Sequence, residues 1–583
     1  MKIELDRFAG MAPLVDPTAL QDHFASDAEN VVFNRGVISQ NPLQPVDEST
    51  FTNNTATRTG VSGVQRLVYF DDGTLLGMVN DTTVDGGHGV NSLVAPRDKW
   101  DRRYYIRSGK LRVASSQVSA QILKGGYTRN PPDFILGINA PANALITAEA
   151  TVGDTTDGSP RDDSLVKWTY TVVDGFGHES PPAPTSIGRM VPYNAPWHVR
   201  LSGFDATLLS EGQYTVGAKF RIYRQAFDGG TSEFQFVGEV DYGTAQVVFD
   251  GTLNPGNNQL YTDIGLGDEA EIIPSLNWDE PPQGRIVEGH MEGPMQTVVS
   301  VASNFLAGYY DNYVCYSEFK MPHAWPTQTR FPLNYPVKGL LPLDNGVLIV
   351  TTGKPYWGFG ADPQSAVPVE LNQNYPCIAT RSLVDMGGYG VYATHDGLVG
   401  IEQGQARVLT EAYITREDWL DFIDPESMVA FAAQGRYYFS AKDGNWWVFD
   451  PADAGGFART LLPGITPNIV RTVSFDPTKS RVVIVTTTNK LFTLAVKESG
   501  PMKWDSKVFL LAPTSFSTAR VEADTYPVDM VVRRGATDTT YTVNNNRPFR
   551  IHPGLAAEWR IGIRADAGRI RKIGVAQDPA EFE

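Results

Sequence analysis

A chain of 583 residues, 42% hydrophobic and 20% charged, excludes a disordered polymer and is too long for one ordinary core, so two to four domains are expected. Its formal net charge of −17 argues against a free protein that grips duplex DNA by neutralising phosphates, and most of the acidity reads as serving solubility. No apolar run approaches the ~20 residues of a membrane span. Two cysteines, Cys315 and Cys377, sit in apolar surroundings and read as buried thiols, not a disulfide scaffold.

The opening MKIELDRFAG carries Glu4, Asp6 and Arg7 and no apolar core, which does not suit a signal peptide, so folding in a cytoplasm is expected. Residues 1–60 are polar and turn-rich and read as an N-terminal arm. Within it, Ala25 to Asn30 reads as a short helix. Val31 to Ser39 reads as a hairpin turning at Asn34-Arg35-Gly36, and Thr50 to Thr59 as a loop. Residues 61–139 hold two more hairpins. Leu67 to Val79 turns at Asp72-Gly73, and Arg103 to Ala114 turns at Ser108-Gly109.

Gly109 and the next hairpin tip at Asp311 lie 202 residues apart, about 157 more than one ~45-residue repeat needs. A domain inserted at 140–278 accounts for the excess. Leu165 to Pro184 alternates like a strand, turns at Asp174-Gly175 and leaves through prolines. Phe220 to Gln225 and Glu233 to Val240 are strands around Asp228-Gly229-Gly230. Short strands with frequent turns suggest a small β-sandwich of the fibronectin type III kind. Asp279 to Gly284 reads as the linker back.

Residues 279–498 repeat one hairpin five times. The copies are Phe305 to Phe319, Val347 to Gly360, Tyr389 to Glu402, Arg436 to Asp450 and Arg481 to Val496. Their tips at Asp311, Gly353, Asp396, Asp443 and Asn489 are spaced by 42, 43, 47 and 46 residues. Each copy is a β-branched or aromatic run, a turn rich in Asp, Asn or Gly, and a second such run. A period of roughly 40 to 50 residues suits four-stranded propeller blades, whose sheets bury both faces only in a ring. The expected fold is all-β: an irregular β-propeller with the inserted sandwich and a C-terminal β segment at 499–583. The competing plan is an irregular β-sandwich with evenly spaced hairpins. In the last segment Arg547, Arg550, Arg560, Arg564, Arg569, Arg571 and Lys572 alternate with Phe549, Ile551, Trp559, Ile561, Ile563 and Ile570. The alternation reads as the wet face of an antiparallel sheet, with a phosphate-binding strip as the alternative.

The chain offers no catalytic, cofactor-binding or metal-ligating residue on sequence grounds, and an enzyme is not expected. His23, His88, His178, His198, His290, His323, His395 and His552 show no zinc spacing, and Cys315 and His323 lack further ligands nearby. Neither a Gly-x-Ser-x-Gly elbow nor a phosphate-binding Walker loop is present. Ser440 to Trp447 resembles the Asp-box turn of sialidase propellers, but its spacing departs from that pattern and it occurs once. The acidic pairs Asp71/Asp72 and Asp162/Asp163 fall on turns, whereas glycosidase carboxylates must flank a substrate.

Several stretches together resemble one family. They are FAGMAPLVDP at Phe8 to Pro17, the element Ala28 to Val32, and the turn at Gly36. In the middle stand WTYTVVDGFGHESPPAP at Trp168 to Pro184, and FRIYRQ followed by FQFVGEV. Near the end come WDSKVF at Trp504 to Phe509 and FRIHPG at Phe549 to Gly554. This order resembles the nozzle proteins, also called tail tubular protein B, of short-tailed bacteriophages, and the related packaged-DNA-stabilisation proteins. The resemblance implies a structural virion protein of the tail, assembled in the host cytoplasm. It implies a homo-oligomeric ring, expected as six copies, below the portal and its adaptor, the head-to-tail connector. Tail fibres or spikes would attach to it, and double-stranded DNA would pass through without sequence readout. No stable membrane span is implied, and the family brings no catalytic motif. The alternative is a propeller-fold polysaccharide-degrading or receptor-binding tail component. Six copies at −17 each suggest an acidic or neutral channel wall. The competing arrangement turns Arg550 to Lys572 inward as a brake on the DNA.

Overall fold

The computed structural model describes residues 1–50, 64–69, 75–79, 103–108, 110–115, 133–152, 163–192, 197–209, 213–226, 233–250, 260–262, 271–282 and, with short interruptions, 285–582. Each of the five sequence hairpins forms the central pair of a four-stranded antiparallel blade. The first blade joins Thr297–Val301, Phe305–Tyr310, Tyr313–Tyr316 and Arg330–Pro332. The second joins Val337–Leu343, Gly346–Thr351, Tyr356–Phe359 and Pro368–Glu370. The third joins Val384–Asp385, Gly390–Thr394, Gly397–Glu402 and Gln405–Val408. The fourth joins Ala430–Ala433, Arg436–Ser440, Trp446–Phe449 and Phe457–Thr460. The fifth pairs Val470–Asp476, Arg481–Thr486 and Lys490–Val496, and takes its fourth strand, Leu43–Thr50, from the start of the chain.

The blades stand side by side in an irregular β-propeller. The first strands of the first four blades adjoin one another in turn. Val64–Tyr69, paired with Leu75–Val79, lies against the first strand of the fifth blade. Arg103–Ser108, paired with Lys110–Ser115, lies against that of the first. Both early hairpins therefore belong to the ring. Packing on two sides explains their composition. Phe305–Tyr310, Gly346–Thr351, Gly390–Thr394 and Arg436–Ser440 are buried at every position, so they carry continuous apolar runs and not alternation. The tips are tight: Asp311 takes φ 46°, Gly397 131° and Gly444 76°. Thr351, Thr394 and Thr486 each end the second strand of a blade. Each hydroxyl donates to a carbonyl across the tip, of Lys354, Gly397 and Lys490, and accepts a backbone N–H from Gly353, Asp396 and Lys490. Repetition thus extends to the hydrogen bonds that hold these buried turns.

The insert is a sandwich of two four-stranded sheets. One runs Ile146–Val152, Trp197–Ser202, Gln246–Asp250, Leu260–Thr262, the last pairing in parallel. The other runs Arg189–Pro192, Asp163–Val173, Lys219–Ala226, Gln235–Asp241. Trp168, Tyr170, Val199, Leu201, Phe220 and Ile222 fill a core distinct from those of the propeller.

The two ends of the chain share one further unit. Lys2–Leu5 pairs with Arg569–Ala576, which also pairs with Thr518–Ala523 and with Val37–Gln40. The second sheet of this unit continues the fourth blade. It runs from Phe457–Thr460 through Ala25–Glu29 to Met502–Ser506, Leu555–Ala565, Val528–Arg534 and Thr537–Val543. Residues 1–60 and 499–583, separate in the sequence reading, therefore meet in common sheets. Ala25–Glu29 is a strand, which corrects the helix expected over Ala25 to Asn30. Met502–Ser506 on one side and Arg459 on the other supply its ladder, and that distant pairing overrides local propensity. Val31–Asn34 and Val37–Gln40 form the expected hairpin, with Arg35 at φ 54° and Gly36 at 78°. Thr50 ends a strand. The rest of the Thr50–Thr59 loop, the turns at Asp72-Gly73 and Asp228-Gly229-Gly230, and Gly109 and Asn489 lie outside the described residues.

Because the insert has its own core, deleting Ala144 to Ser275 and bridging the ends with a short Gly/Ser linker should leave a soluble protein whose propeller still unfolds cooperatively. Circular dichroism melts and solubility check this. An insoluble deletion beside a soluble full chain would count against the insert's independence.

Candidate functional site

The stretches that carry the family resemblance come together in two places. At the first, Phe8 to Ala12 lie buried between the fourth blade and the terminal unit. Met11 N–H donates to Phe457 O at 2.6 Å and Phe457 N–H returns a bond to Met11 O at 2.9 Å. Gly10 must be glycine here, because a Cβ would run into the carbonyl oxygens of Gly455 and Phe457. The Trp504 indole donates to Ala9 O at 3.0 Å and meets the Phe8 ring edge-on at 5.0 Å. Asn30, at φ 54°, donates its side-chain amide to Pro501 O. Ile551 N–H donates to Ser517 O.

Charges of alternating sign cross the outer face of this seam from strand to strand. Arg459 pairs with Asp27 at 2.6 Å and with Glu29 at 3.3 Å. Lys503 reaches Asp27 at 2.6 Å, and Arg564 and Arg560 close on Asp505 at 2.7 and 3.4 Å. Gly562 has no side chain, which leaves room for the Asp505 carboxylate over the sheet. Burial opposes the charge on Asp27, but Lys503 and Arg459 outweigh it and hold its carboxyl below the usual range. Arg571 pairs with Asp524 at 2.9 Å and Lys572 with Glu4 at 2.6 Å. Arg550, Arg560, Arg564, Arg569, Arg571 and Lys572 lie on paired strands, and Arg547 in the bend before Phe549. Among the described residues Arg547, Arg550 and Arg569 are exposed and make no ion pair.

The second place is the turn Asp174 to Ser180, where the insert meets the first blade. Asp174 Oδ1 accepts the N–H groups of Phe176 and His178, both at 2.9 Å, and its Oδ2 lies 3.1 Å from His178 Nδ1. The His178 ring stacks on His323 with centroids 4.7 Å apart, and Trp278 meets His323 edge-on at 5.3 Å. His323 Nε2 accepts the N–H of Glu179 at 3.2 Å. The Glu179 carboxylate accepts from Thr171 at 2.7 Å and Tyr223 at 2.6 Å, and lies 3.1 Å from Arg221. Burial pushes the Tyr223 phenol up, and the Glu179 charge adds to it. Burial works against the Arg221 charge, but Tyr223, Glu179 and Glu271 outweigh it and hold the guanidinium above its usual range. The linker is fixed close by, where Arg330 reaches Asp279 at 3.1 Å and Glu292 at 2.6 Å.

The other candidates do not converge. Cys315 and Cys377 are buried thiols pushed up to about 12 by burial. His323, eight residues from Cys315, faces His178. Among the described residues no three His, Cys, Asp or Glu side chains are gathered as a metal would require. No helix among them is long and apolar enough to cross a membrane. Asp443 accepts the Asn445 N–H at the tip of the fourth blade, with the Trp447 indole 3.3 Å away, so Ser440 to Trp447 is an ordinary blade hairpin. Asp71, Asp72, Asp162 and His88 lie outside the described residues, and His198, His395 and His552 join no cluster. The sequence reading missed the His178–His323 stack, because only the fold joins residues so far apart.

Neither a family model nor a curated relative matches the chain. Among solved structures it is similar to BamB from Moraxella catarrhalis, at TM-score 0.31 and 10% identity over 78% of this chain and 99% of that one. It is also similar to the WD40 beta propeller domain of Doa1, at 0.22 and 11% over 51% and 89%. The N-terminal domain of Nup159 gives 0.22 and 14% over 48% and 77%. The propeller assignment rests on the strand pairing described above.

Two substitutions test the seam. Gly10→Ala should destabilise the chain by roughly 2 kcal/mol or more, since its Cβ meets backbone that cannot swing away. Asp505→Asn should cost about 2 kcal/mol, because it leaves neighbouring cations without their counter-charge. Arg547→Ala, on the exposed surface, should leave urea midpoints unchanged. Equal midpoints for all three would remove the seam's claim to stability.

Proposed function

We propose that this chain is a structural protein of a phage tail, forming a ring-shaped nozzle that continues the DNA channel. In this reading it retains the packaged genome before infection and lets it leave at infection. One observation carries the reading: Phe8 to Ala12 and WDSKVF, from the two chain ends and resembling nozzle proteins, meet in one buried seam, and the middle stretch fills the junction of the insert. They form the joints between the parts of the molecule. The reading assigns the protein no enzymatic activity and no cofactor. Its partners are further copies of itself, expected as six in a closed ring, the portal adaptor, and tail fibres or spikes. Cyclic closure satisfies head-to-tail contacts without open-ended growth.

Double-stranded DNA passes through the ring without sequence readout. DNA in transit must be held loosely, because each phosphate paired with Lys or Arg adds salt-sensitive affinity that has to be broken. The pairing of Arg560 and Arg564 with Asp505 fits that requirement, since it removes two cations from any such grip.

Native mass measurement and electron microscopy of assembled tails should show a ring with an axial hole. A single copy per tail would sink the proposal. If the wall lets DNA slide, replacing Arg547, Arg550 and Arg569 with Gln should leave the salt dependence of genome release unchanged. A shallower dependence would assign those arginines to a brake.

A further inference from the structure

We propose that an open groove on the terminal unit, lined by Arg534 and Leu555, is a docking site for the segment Thr415 to Ser427 of a second copy of this chain. This contact deepens the ring reading and rests on it for closure alone.

The groove holds about 580 Å³ between the turn that joins Val528–Arg534 to Thr537–Val543 and the start of Leu555–Ala565. Leu555, Ala557 and Trp559 alternate onto one face of their strand, and Arg534 stands opposite Trp559 in the ladder, so it shares that face. Leu555 is 75% exposed. The half-buried Arg534 guanidinium lies over Gly554, where a Cβ would run into it. Its neighbour Arg533 closes on Asp538 at 2.6 Å, but among the described residues Arg534 itself makes no ion pair and donates no side-chain hydrogen bond. Glu558 also lines the groove, but it falls between Ala557 and Trp559 and turns to the opposite face, where Leu510 is its ladder partner. A bare leucine beside an uncompensated guanidinium adds little to this chain's own stability. Both gain from a ligand that is apolar and carries a carboxylate.

Thr415 to Ser427 joins the third blade to the fourth and has that character. Trp419 and Ile423 are buried and anchor it, and the Trp419 indole donates to Thr394 O at 2.8 Å. The Thr415 hydroxyl accepts the Asp418 N–H at 3.0 Å, and Lys442 reaches Asp421 at 3.3 Å. Phe422 rests edge-on against Trp447 with centroids 5.0 Å apart, yet it is 39% exposed, and Leu420 is 36% exposed. Arg416 is taken by Asp396, Asp418 by Thr415 and Asp424 by Ser427. Glu417 and Glu426 are exposed and make no ion pair among the described residues. The segment thus presents two apolar side chains and two free carboxylates on a rigid base, so docking costs little ordering entropy. The groove answers with one free cation and two exposed apolar side chains. A DNA phosphate would suit Arg534 but makes no use of Leu555 and Ala557.

The two surfaces lie too far apart to meet within one chain. Ala430–Ala433 follows the segment closely and is the first strand of the sheet that ends with Thr537–Val543. Seven strand spacings separate it from Val528–Arg534. At about 4.8 Å each they amount to roughly 34 Å. The contact is therefore head-to-tail between copies. It leaves a free groove at one end and a free segment at the other, and contacts of that kind close into a ring when the rotation permits.

Disulfide trapping on the full chain tests this. Copies carrying Leu420→Cys are mixed with copies carrying Leu555→Cys under mild oxidation, and the native Cys315 and Cys377 are buried and do not compete. The mixture should form a linked heterodimer roughly tenfold or more faster than either variant alone forms a homodimer. Both positions are exposed, so neither substitution threatens the fold. Adding Arg534→Glu to the Leu555→Cys copy should slow the cross-link roughly tenfold by setting like charges together. Glu417→Arg with Glu426→Arg on the other copy should restore it. A heterodimer that forms no faster than the homodimers overturns the proposal, as does a cross-link indifferent to Arg534→Glu. Binding of a short DNA duplex that Arg534→Gln abolishes would give the groove to phosphate and also overturn it. The ring reading fails separately. Ring assembly in tails that Arg534→Glu leaves unchanged overturns this contact and spares the ring, whereas a single copy per tail removes the ring while the cross-link still decides the contact.

Discussion

The pairing of Leu43–Thr50 with Lys490–Val496 is the constraint on which the rest of the molecule depends. Residues roughly 440 apart must meet before the fifth blade has its outer strand. The loop entropy of such a closure is on the order of 5 kcal/mol. No local propensity offsets that, so the cost falls on packing that exists only when the ring is nearly complete. One continuous core supplies it. That core includes Val391 and Leu398 of the third blade, Tyr437 and Phe449 of the fourth, and Ile484 and Phe492 of the fifth. It continues into Trp504, Trp559 and Ile573 of the terminal unit. Completion of the fifth blade and formation of the terminal unit thereby draw on the same core, and a fold so rich in distant contacts is expected to form slowly.

How much of this was legible in the sequence follows from what is local and what is not. The five tips were legible because a tight turn needs residues that tolerate positive φ, and Asp311, Gly397 and Gly444 carry that need openly. The second strand of each blade was legible because burial on both faces writes an unbroken apolar run. Outer strands such as Pro368–Glu370 and Gln405–Val408 were not, since three or four half-exposed residues carry no pattern. Ala25–Glu29 looked helical because its neighbours in sequence say nothing of its neighbours in space. Pairing with Met502–Ser506 and with Arg459 makes it a strand, and neither is near it in the chain.

The candidate site divides along the same line. Alternation of Arg560, Ile561, Ile563 and Arg564 was enough to expect a sheet with one wet face. Neutralisation of those arginines by Asp505 was beyond reach, because Asp505 sits on another strand opposite Gly562. In the same way DGFGHES was readable as a turn after a strand. That it carries one half of a histidine stack depends on His323, which belongs to the loop of another domain.

The two joints of the molecule differ in kind, and that difference orders its mechanics. At the seam, apolar side chains from blade and terminal unit interpenetrate, and separating them would expose Trp504, Phe457 and Met11 together. Exposure of that much apolar surface costs several kcal/mol, at roughly 1.5–3 kcal/mol for each large side chain. The terminal unit therefore moves with the propeller. At the insert, most of the described contact is polar or aromatic: one N–H to an imidazole, a ring stack, an amide to Gly137 O, and the linker held by Arg330. Contacts of this kind contribute about 1 kcal/mol each. Among the described contacts, the joint at the insert is therefore the more polar of the two, and it lies on the face of the first blade that carries His323.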